Sequence, residues 1–299
     1  MTDRPHSKTN RIAFQGEPGA YSHQACRFSR PDMEVLPCRT FDDAIEAVHS
    51  GQADLAMLPV ENSTYGRVAD IHHLLPESGL HIIDKAFVRV QISLLGVPGT
   101  RLEQVRQAVS HTVLLGQCRG FLRRHGIEAV TGADTAGSAM QVAREGDPAR
   151  AALASSLAGE IYGLEVLAEG IEDRQNNTTR FLVMSPTPDA TRRERRPGLG
   201  MITTIVFRVR NIPASLYKAM GGFATNGVNI TKLESYMVDG LFSATQFYAD
   251  FDGHPDDPPV RRALEELRYF TSSLMILGTY PADPLRESQA AARAAGLGG

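Results

Sequence analysis

The chain has few cysteines, no long apolar run and no surplus of positive charge, and each shortage removes a class of function. Its three cysteines, Cys26, Cys38 and Cys118, are odd in number and too widely separated for a metal knuckle. They read as reduced thiols rather than a disulfide framework, and no metal is expected. No stretch approaches the roughly 20 apolar residues that span a bilayer, and Met1 to Asn10 lacks the apolar centre of an export signal. A soluble, cytoplasmic protein without a membrane partner is the expectation. Lys+Arg 31 against Asp+Glu 34 gives a formal net charge of -3, so there is no general basic field for nucleic acid and a small-molecule partner is favoured. The G-x-G-x-x-G of a dinucleotide site and the G-K-[ST] of a phosphate loop are also missing, and no cofactor is expected.

What is present is enough apolar residue, 42%, to build packed cores, in a chain of 299 residues that is long for one core and predicts two domains. Arg11-Ile12-Ala13-Phe14 reads as a strand, followed by the glycine turn Gly16 to Ser22 and a helix over His23 to Phe28. Free N–H groups at that helix start suit an anion, although a tight connection alone would use the same glycines. Thr40 to Asp43 resembles a capping box ahead of the helical face Ala44, Ile45, Val48, with Gly51 as a stop. Ala53 to Val60 is a mainly apolar run of the kind covered on both faces, and it ends in Glu61-Asn62-Ser63-Thr64-Tyr65-Gly66. A carboxylate, an amide and two hydroxyls beyond the end of a buried strand are what a ligand site of an α/β fold needs.

The same grammar recurs. Thr135, Ala139, Val142 and Gly146 have the spacing of a capped helix, and Ala151 to Ala154 is a strand ending in Ser155-Ser156 before a helical Leu157 to Gly163. Phe87 to Val97 reads as one long extended segment carrying the chain between two α/β lobes, with a cleft between them. In the second lobe Ser110-His111 ends a strand, and Gln117-Cys118 lie on a helix whose apolar face includes Leu114, Leu115, Phe121 and Leu122. His111 fits a capping role as well as a catalytic one.

Asn176-Asn177-Thr178-Thr179-Arg180-Phe181 concentrates neutral hydrogen-bonding groups and one guanidinium ahead of an apolar strand, Phe181 to Met184. It reads either as the floor of an anion pocket or as a polar turn entering a strand. From Pro186 to Gly198 the composition becomes proline-bounded and basic, a linker whose arginines would suit an acidic partner or RNA but, with no interleaved aromatic residues, read as solvated. Beyond it, strands at Thr203 to Val209, Asn229 to Tyr236, Phe242 to Phe251 and Leu274 to Tyr280, with helices at Ala214 to Thr225 and Pro259 to Phe270, give the order βαββαβ of a ferredoxin-like module. The Ala-rich tail from Pro284 is expected to fray.

Four of these segments together resemble the bacterial prephenate dehydratases. The G-x-x-G-x-Y-S loop is Gly16 to Ser22, P-x-E-N-x-x-x-G is Pro59 to Gly66, the helix motif is Gln117-Cys118, and N-x-T-R-F is Asn177 to Phe181. The resemblance implies a two-lobed catalytic part similar to periplasmic binding proteins over 10–185, a linker over 186–200, an ACT regulatory domain over 201–284 and a disordered tail over 285–299. It also implies conversion of prephenate to phenylpyruvate, water and carbon dioxide, with Thr179, Glu61, Asn62 and Gln117 as catalytic residues. Arg180, Thr178, Phe181, Ser22, Tyr21 and Ser155 would contact substrate, with Arg180 anchoring a carboxylate and Glu61, raised by burial, supplying a proton. Where relatives show S-H-P-Q this chain has Ser110-His111-Thr112-Val113, which leaves Gln117 as the amide on that side.

The ACT-like module implies phenylalanine sensing at a contact between paired modules, through Leu216, Asn229, Ile230, Glu234 and Ser235, and hence a homodimer or homotetramer. Two motifs differ: Pro213-Ala214-Ser215-Leu216 stands for P-G-A-L, and Glu234-Ser235-Tyr236-Met237 for E-S-R-P. Arogenate dehydration and a non-catalytic two-lobed sensor remain the alternatives.

Overall fold

The computed structural model describes residues 9–174, 176–188, 200–210, 212–237 and 244–283. Its contacts divide the chain into two compact units, Met1–Ile71 with Ala86–Val183, and His72–Lys85 with Met184–Gly299. Among the described residues no helix is long and apolar enough to cross a membrane. Most of the linker, the tail beyond residue 283 and Phe242 lie outside the described residues.

The first unit holds two α/β lobes. In the first, β1 (Arg11–Gln15) pairs in parallel with β2 (Glu34–Cys38) on one side and β3 (Leu55–Asn62) on the other. Strand β11 (Thr178–Ser185) lies beyond β3, giving the order β11-β3-β1-β2. Helix α1 (Tyr21–Ser29) follows β1, and α2 (Phe41–His49) follows β2. The α2 cap is reciprocal: the Asp43 N–H donates to Thr40 Oγ1 at 3.0 Å and the Thr40 N–H to Asp43 Oδ2 at 3.1 Å, satisfying two groups that the helix itself leaves unpaired. Ala44, Ile45 and Val48 are thereby turned into the core.

The second lobe is a five-stranded sheet in the order β10-β6-β9-β7-β8, formed by β6 (Ser93–Gly96), β7 (Gln107–Ser110), β8 (Glu128–Thr131), β9 (Arg150–Ala154) and β10 (Glu165–Glu169). Strand β7 runs parallel to β8 and β9, while β6 is antiparallel to β9 and β10. Two expectations change here. The extended Phe87 to Val97 is interrupted at Val90–Ile92, between β5 (His81–Arg89) and β6. A single helix through Gln117 is instead two, α4 (Thr112–Gln117) and α5 (Arg119–Arg124), broken at Cys118. Across the break Cys118, at 0% exposure, is buried in the same core as Leu114, Leu115, Phe121 and Leu122. His111 caps α4, its Nδ1 accepting the Val113 N–H at 3.3 Å.

The chain crosses between the lobes at 89–92 and returns at 171–177, and the two crossings bond to each other. The Val90 N–H donates to Asn177 O at 2.9 Å and the Ile171 N–H to Ile92 O at 3.2 Å. A second brace joins the Gly16 to Ser22 loop to the other lobe: Ser155 Oγ donates to Gly19 O at 2.6 Å, and Tyr162 Oη to Pro18 O at 2.8 Å. Gly19, at φ +93°, has no room for a side chain, because a Cβ there would stand 2.7 Å from the Ala158 backbone.

The second unit has the expected βαββαβ order: β12 (Met201–Val209), α8 (Ser215–Thr225), β13 (Ile230–Met237), β14 (Ala244–Asp252), α9 (Pro258–Phe270) and β15 (Thr271–Pro281). The sheet order β13-β14-β12-β15, with antiparallel neighbours, places Ile205, Phe207 and Phe251 against Phe223, Leu264 and Leu267 of the helices. Residues 72–85, assigned by sequence to the catalytic part, group with this unit, where Ile82 of β5 pairs with Gly278 of β15. Glycine is required at that crossing, since a Cβ on Gly278 would collide with the Ile82 carbonyl.

Ala214, standing where the resembling motif has glycine, adopts φ 57°, ψ 28°, a left-handed conformation that costs an L-residue roughly 1 kcal/mol. Ala214→Gly relieves that strain but adds entropy to the unfolded chain, so it is expected to raise the unfolding free energy by no more than about 0.5 kcal/mol. Urea titration of the two proteins measures it, and a lowered midpoint would show that the turn is unstrained.

Candidate active site

The site grows from the neighbouring ends of β3 and β11. Thr178, Thr179 and Arg180, expected to lie ahead of the strand, are its first residues. That boundary matters, because successive side chains of a strand point to opposite faces. Thr179 falls on one face, while Thr178 and Arg180 fall on the other. Glu61 and Asn62 at the end of β3 are split in the same way, and the bonds follow the split: Asn62 meets Thr179, and Glu61 meets Arg180.

On the first face the carboxamide of Asn62 has a defined orientation. Its Oδ1 accepts the backbone N–H of Thr64 at 2.9 Å and of Tyr65 at 3.0 Å, so its Nδ2 must face the other way. That Nδ2 donates to Asn177 Oδ1 at 2.6 Å and to Thr179 Oγ1 at 3.0 Å. Asn177, 3% exposed, is oriented in turn and donates from Nδ2 to Gln117 Oε1 at 3.0 Å. Each acceptor is thus filled by the preceding amide. The relay leaves the Thr179 hydroxyl proton and the Gln117 Nε2 hydrogens as donors at its two ends.

On the opposite face Arg180 Nη1 pairs with Glu61 Oε1 at 3.0 Å, with the arginine side chain only 9% exposed. Burial and pairing engage this guanidinium with Glu61 across the two strands, where a substrate anchor and a separate proton donor were expected. Phe181, 1% exposed, is part of the core beneath. Thr178 is half-buried, and its N–H donates to Ser63 Oγ at 2.9 Å while its carbonyl accepts from the Ser63 N–H.

A cavity of about 290 Å³ opens beside the relay, lined by Thr64, Tyr65, Gly116, Gln117, Asp173, Arg174 and Asn177. Of these only Gln117 was singled out from the sequence as a site residue. Asp173 and Arg174 lie in a short charged run that has the look of a solvated loop, and no periodicity marks them. Asn177 stood inside a recognised motif without a role of its own. Asp173 is tied down by its N–H donating to Gln117 O at 2.7 Å and by the Gly120 N–H donating to its carboxylate at 3.1 and 3.2 Å.

The remaining expected substrate contacts are engaged elsewhere. The N–H groups of Gly16, Gly19 and Ala20 donate to Cys38 O, His23 Nδ1 and Glu17 O, so they are turned into the loop rather than toward an anion. Burial, with Arg27 nearby, lowers the His23 pKa and keeps the ring a neutral acceptor for Gly19. Tyr21 Oη donates to Gln91 O at 2.9 Å, and burial raises its pKa. Ser22 is buried in α1, and Ser155, 1% exposed, bonds Gly19 and caps α7 (Ser156–Tyr162). Burial, followed by the nearby Glu172 and Asp173 carboxylates, pushes the Cys118 thiol up to about 12, which makes it an inert core residue. Among the described residues no group of His, Cys, Asp and Glu could hold a metal ion.

In the second unit Leu216 and Ile230 pack beside the core. Asn229 Nδ2 donates to Asp252 Oδ2 at 2.8 Å, Glu234 pairs with Lys232 at 3.3 Å, and Ser235 is exposed. Tyr236 is buried, its ring 5.7 Å from His73 and 6.4 Å from His72. A groove of about 830 Å³ on this unit is lined by Arg208, Met237, Gln246 and Leu274 among others, and by none of the five residues expected to bind phenylalanine.

Comparison with known proteins gives a consistent picture. The family model described as prephenate dehydratase matches residues 12–189. A Komagataeibacter europaeus protein named bifunctional N-acyl-homoserine lactone acylase/prephenate dehydratase is 53% identical, over 92% of this chain and 97% of its own length. The arogenate dehydratase/prephenate dehydratase 1 of Arabidopsis thaliana is 38% identical, over 92% of this chain and 73% of its own. Among solved structures, the prephenate dehydratase of Arthrobacter aurescens in complex with L-Phe is similar with a TM-score of 0.81 at 30% identity, over 96% of this chain and 99% of that one.

Proposed function

Since this chain belongs to the prephenate dehydratase family and is an enzyme of that type, we propose that it converts prephenate to phenylpyruvate in phenylalanine biosynthesis. It would act in the cytoplasm as a homodimer or homotetramer, with residues 10–185 catalytic and 201–284 an ACT regulatory module. The observation that carries the reading is the oriented relay Gln117–Asn177–Asn62–Thr179, which leaves the Thr179 hydroxyl its proton and whose Gln117 and Asn177 line a cavity of about 290 Å³.

The chemistry needs such a donor. The bond between the ring and its carboxylate breaks, carbon dioxide leaves, and the electron pair enters the ring. The bond from the ring to the hydroxyl breaks at the far side, and that oxygen takes up one proton and departs as water. One proton is consumed for each turnover, and it goes to the leaving oxygen. Thr179 is too weak an acid to lose its own proton outright; its hydrogen bond holds the leaving oxygen and stabilises the charge that develops there, while water supplies the proton. Gln117 and Asn62 act as neutral partners, which suits a reaction in which excess positive charge would hold back the departing carboxylate. Glu61 supports the site through Arg180.

Thr179→Ala is expected to lower kcat by roughly 10²-fold or more while substrate still binds, and Thr179→Ser to keep most of the activity. Near-normal turnover in the alanine variant would remove Thr179 from the chemistry. Arogenate is a second candidate substrate, supported by the Arabidopsis relative, and the acylase activity named for the Komagataeibacter protein is another. Ultraviolet detection of phenylpyruvate from prephenate, with chromatographic detection of phenylalanine from arogenate and of homoserine lactone released from an acylated lactone, separates the three in one preparation.

Phenylalanine is proposed as the feedback inhibitor, supported by the L-Phe complex of the Arthrobacter relative. Millimolar phenylalanine is expected to reduce the rate of the full-length enzyme and to give a binding heat in calorimetry, since an effector acts only through a differential affinity for two states. Absence of both would reduce the module to assembly.

A further inference from the structure

The substrate proposed above is a dianion, and its pocket needs a cation that is free to meet it. Arg180 does not fit that need: it is 7% exposed and paired with Glu61 on the other face of the strands. The cavity itself holds a different guanidinium. Arg174 is exposed, lines the cavity with Gln117, Asn177 and Tyr65, and is its one cationic residue among the described lining. No ion pair or hydrogen bond among the described residues takes up its side chain.

Its backbone is held on the approach side. Glu172, its side chain 2% exposed, accepts the Ile92 N–H on Oε2 at 3.0 Å, and Asp173 is bound at both its N–H and its carboxylate to residues 117 and 120. A long arginine rooted in so restrained a segment loses little backbone freedom when it engages a ligand. The bond from Val90 to the Asn177 carbonyl holds the segment on its far side.

We propose that Arg174 is the specificity-determining anchor of this pocket and that it binds the carboxylate the substrate keeps, the one on the 2-oxo acid side chain. The assignment rests on the dehydratase reading. Chemistry selects which carboxylate: a guanidinium on the departing group would stabilise the ground state and oppose its loss as neutral carbon dioxide. A fork of N–H donors on the retained group binds substrate and transition state alike, so it acts on KM more than on kcat. The product still carries that carboxylate, and its affinity must depend on Arg174 as well.

The test compares Arg174→Gln, Arg174→Lys and the wild type in steady-state assays with prephenate, using phenylpyruvate as a competitive inhibitor. Arg123→Gln, an exposed arginine outside the cavity lining, controls for net charge. Arg174→Gln should raise KM by about tenfold or more, with kcat within about threefold, and should raise the inhibition constant of phenylpyruvate by a similar factor. Arg174→Lys should fall between, and Arg123→Gln should stay within about twofold of wild type. A KM unchanged in Arg174→Gln, or raised equally in the Arg123 control, overturns the assignment. So does a raised KM with unchanged phenylpyruvate affinity, which would put Arg174 on the departing carboxylate. If the wild type forms no phenylpyruvate, the dehydratase reading fails, and calorimetry of phenylpyruvate with wild type and Arg174→Gln still decides whether Arg174 is an anion anchor.

Discussion

The site depends on the direction in which one side-chain amide points. Backbone N–H groups cannot reverse their polarity, so the turn from Asn62 to Tyr65 forces Asn62 Oδ1 toward Thr64 and Tyr65 and sends its Nδ2 across to β11. Every later orientation follows: Asn177 is turned by Asn62, Gln117 is met by Asn177, and the Thr179 oxygen is filled from behind. A hydroxyl that already accepts one hydrogen bond is left with its proton for a ligand. In the proposed reaction this hydroxyl would be a directed neutral donor that places no charge beside the carboxylate that leaves.

That relay spans both lobes, since Gln117 belongs to α4 while Asn62 and Thr179 belong to β3 and β11. Its geometry therefore requires the lobes to be held, and the braces are found where the chain passes between them. Val90 to Asn177 and Ile171 to Ile92 fasten the crossings together, and Ser155 with Tyr162 fastens the Gly19 loop. The glycine-rich segment that resembles an anion cradle serves here as a close-packed joint, with Gly19 against Ala158.

Much of the architecture was legible because it is written in local rules. The Thr40 box, the capped helix that stops at Gly146 and the βαββαβ order all follow from spacing and capping chemistry. The break at Cys118 was not, because Leu114, Leu115, Phe121 and Leu122 continue a helical pattern through it. Within the site, the motif residues could be named but their faces could not. A strand that begins three residues earlier than expected, at Thr178 rather than Phe181, sends Arg180 to Glu61 and away from Thr179, and that pairing is tertiary. Arg174 escaped notice for the complementary reason: its neighbours Glu172 and Asp173 make it look like a solvated charge run, and only the fold reveals that both are tied down.

The central claim, that Asn62 sets the direction of the Thr179 proton, is tested most directly by Asn62→Asp alone and combined with Thr179→Ala. The aspartate keeps an oxygen for the Thr64 and Tyr65 N–H groups but replaces the donor to Thr179 with an acceptor, which draws the hydroxyl proton back into the protein. The account predicts a fall in kcat of about 10²-fold with the circular dichroism spectrum unchanged, and a further loss of no more than about twofold when Thr179→Ala is added, because both changes remove one function. Near-normal kcat in Asn62→Asp, or two losses that multiply in the double variant, would contradict it.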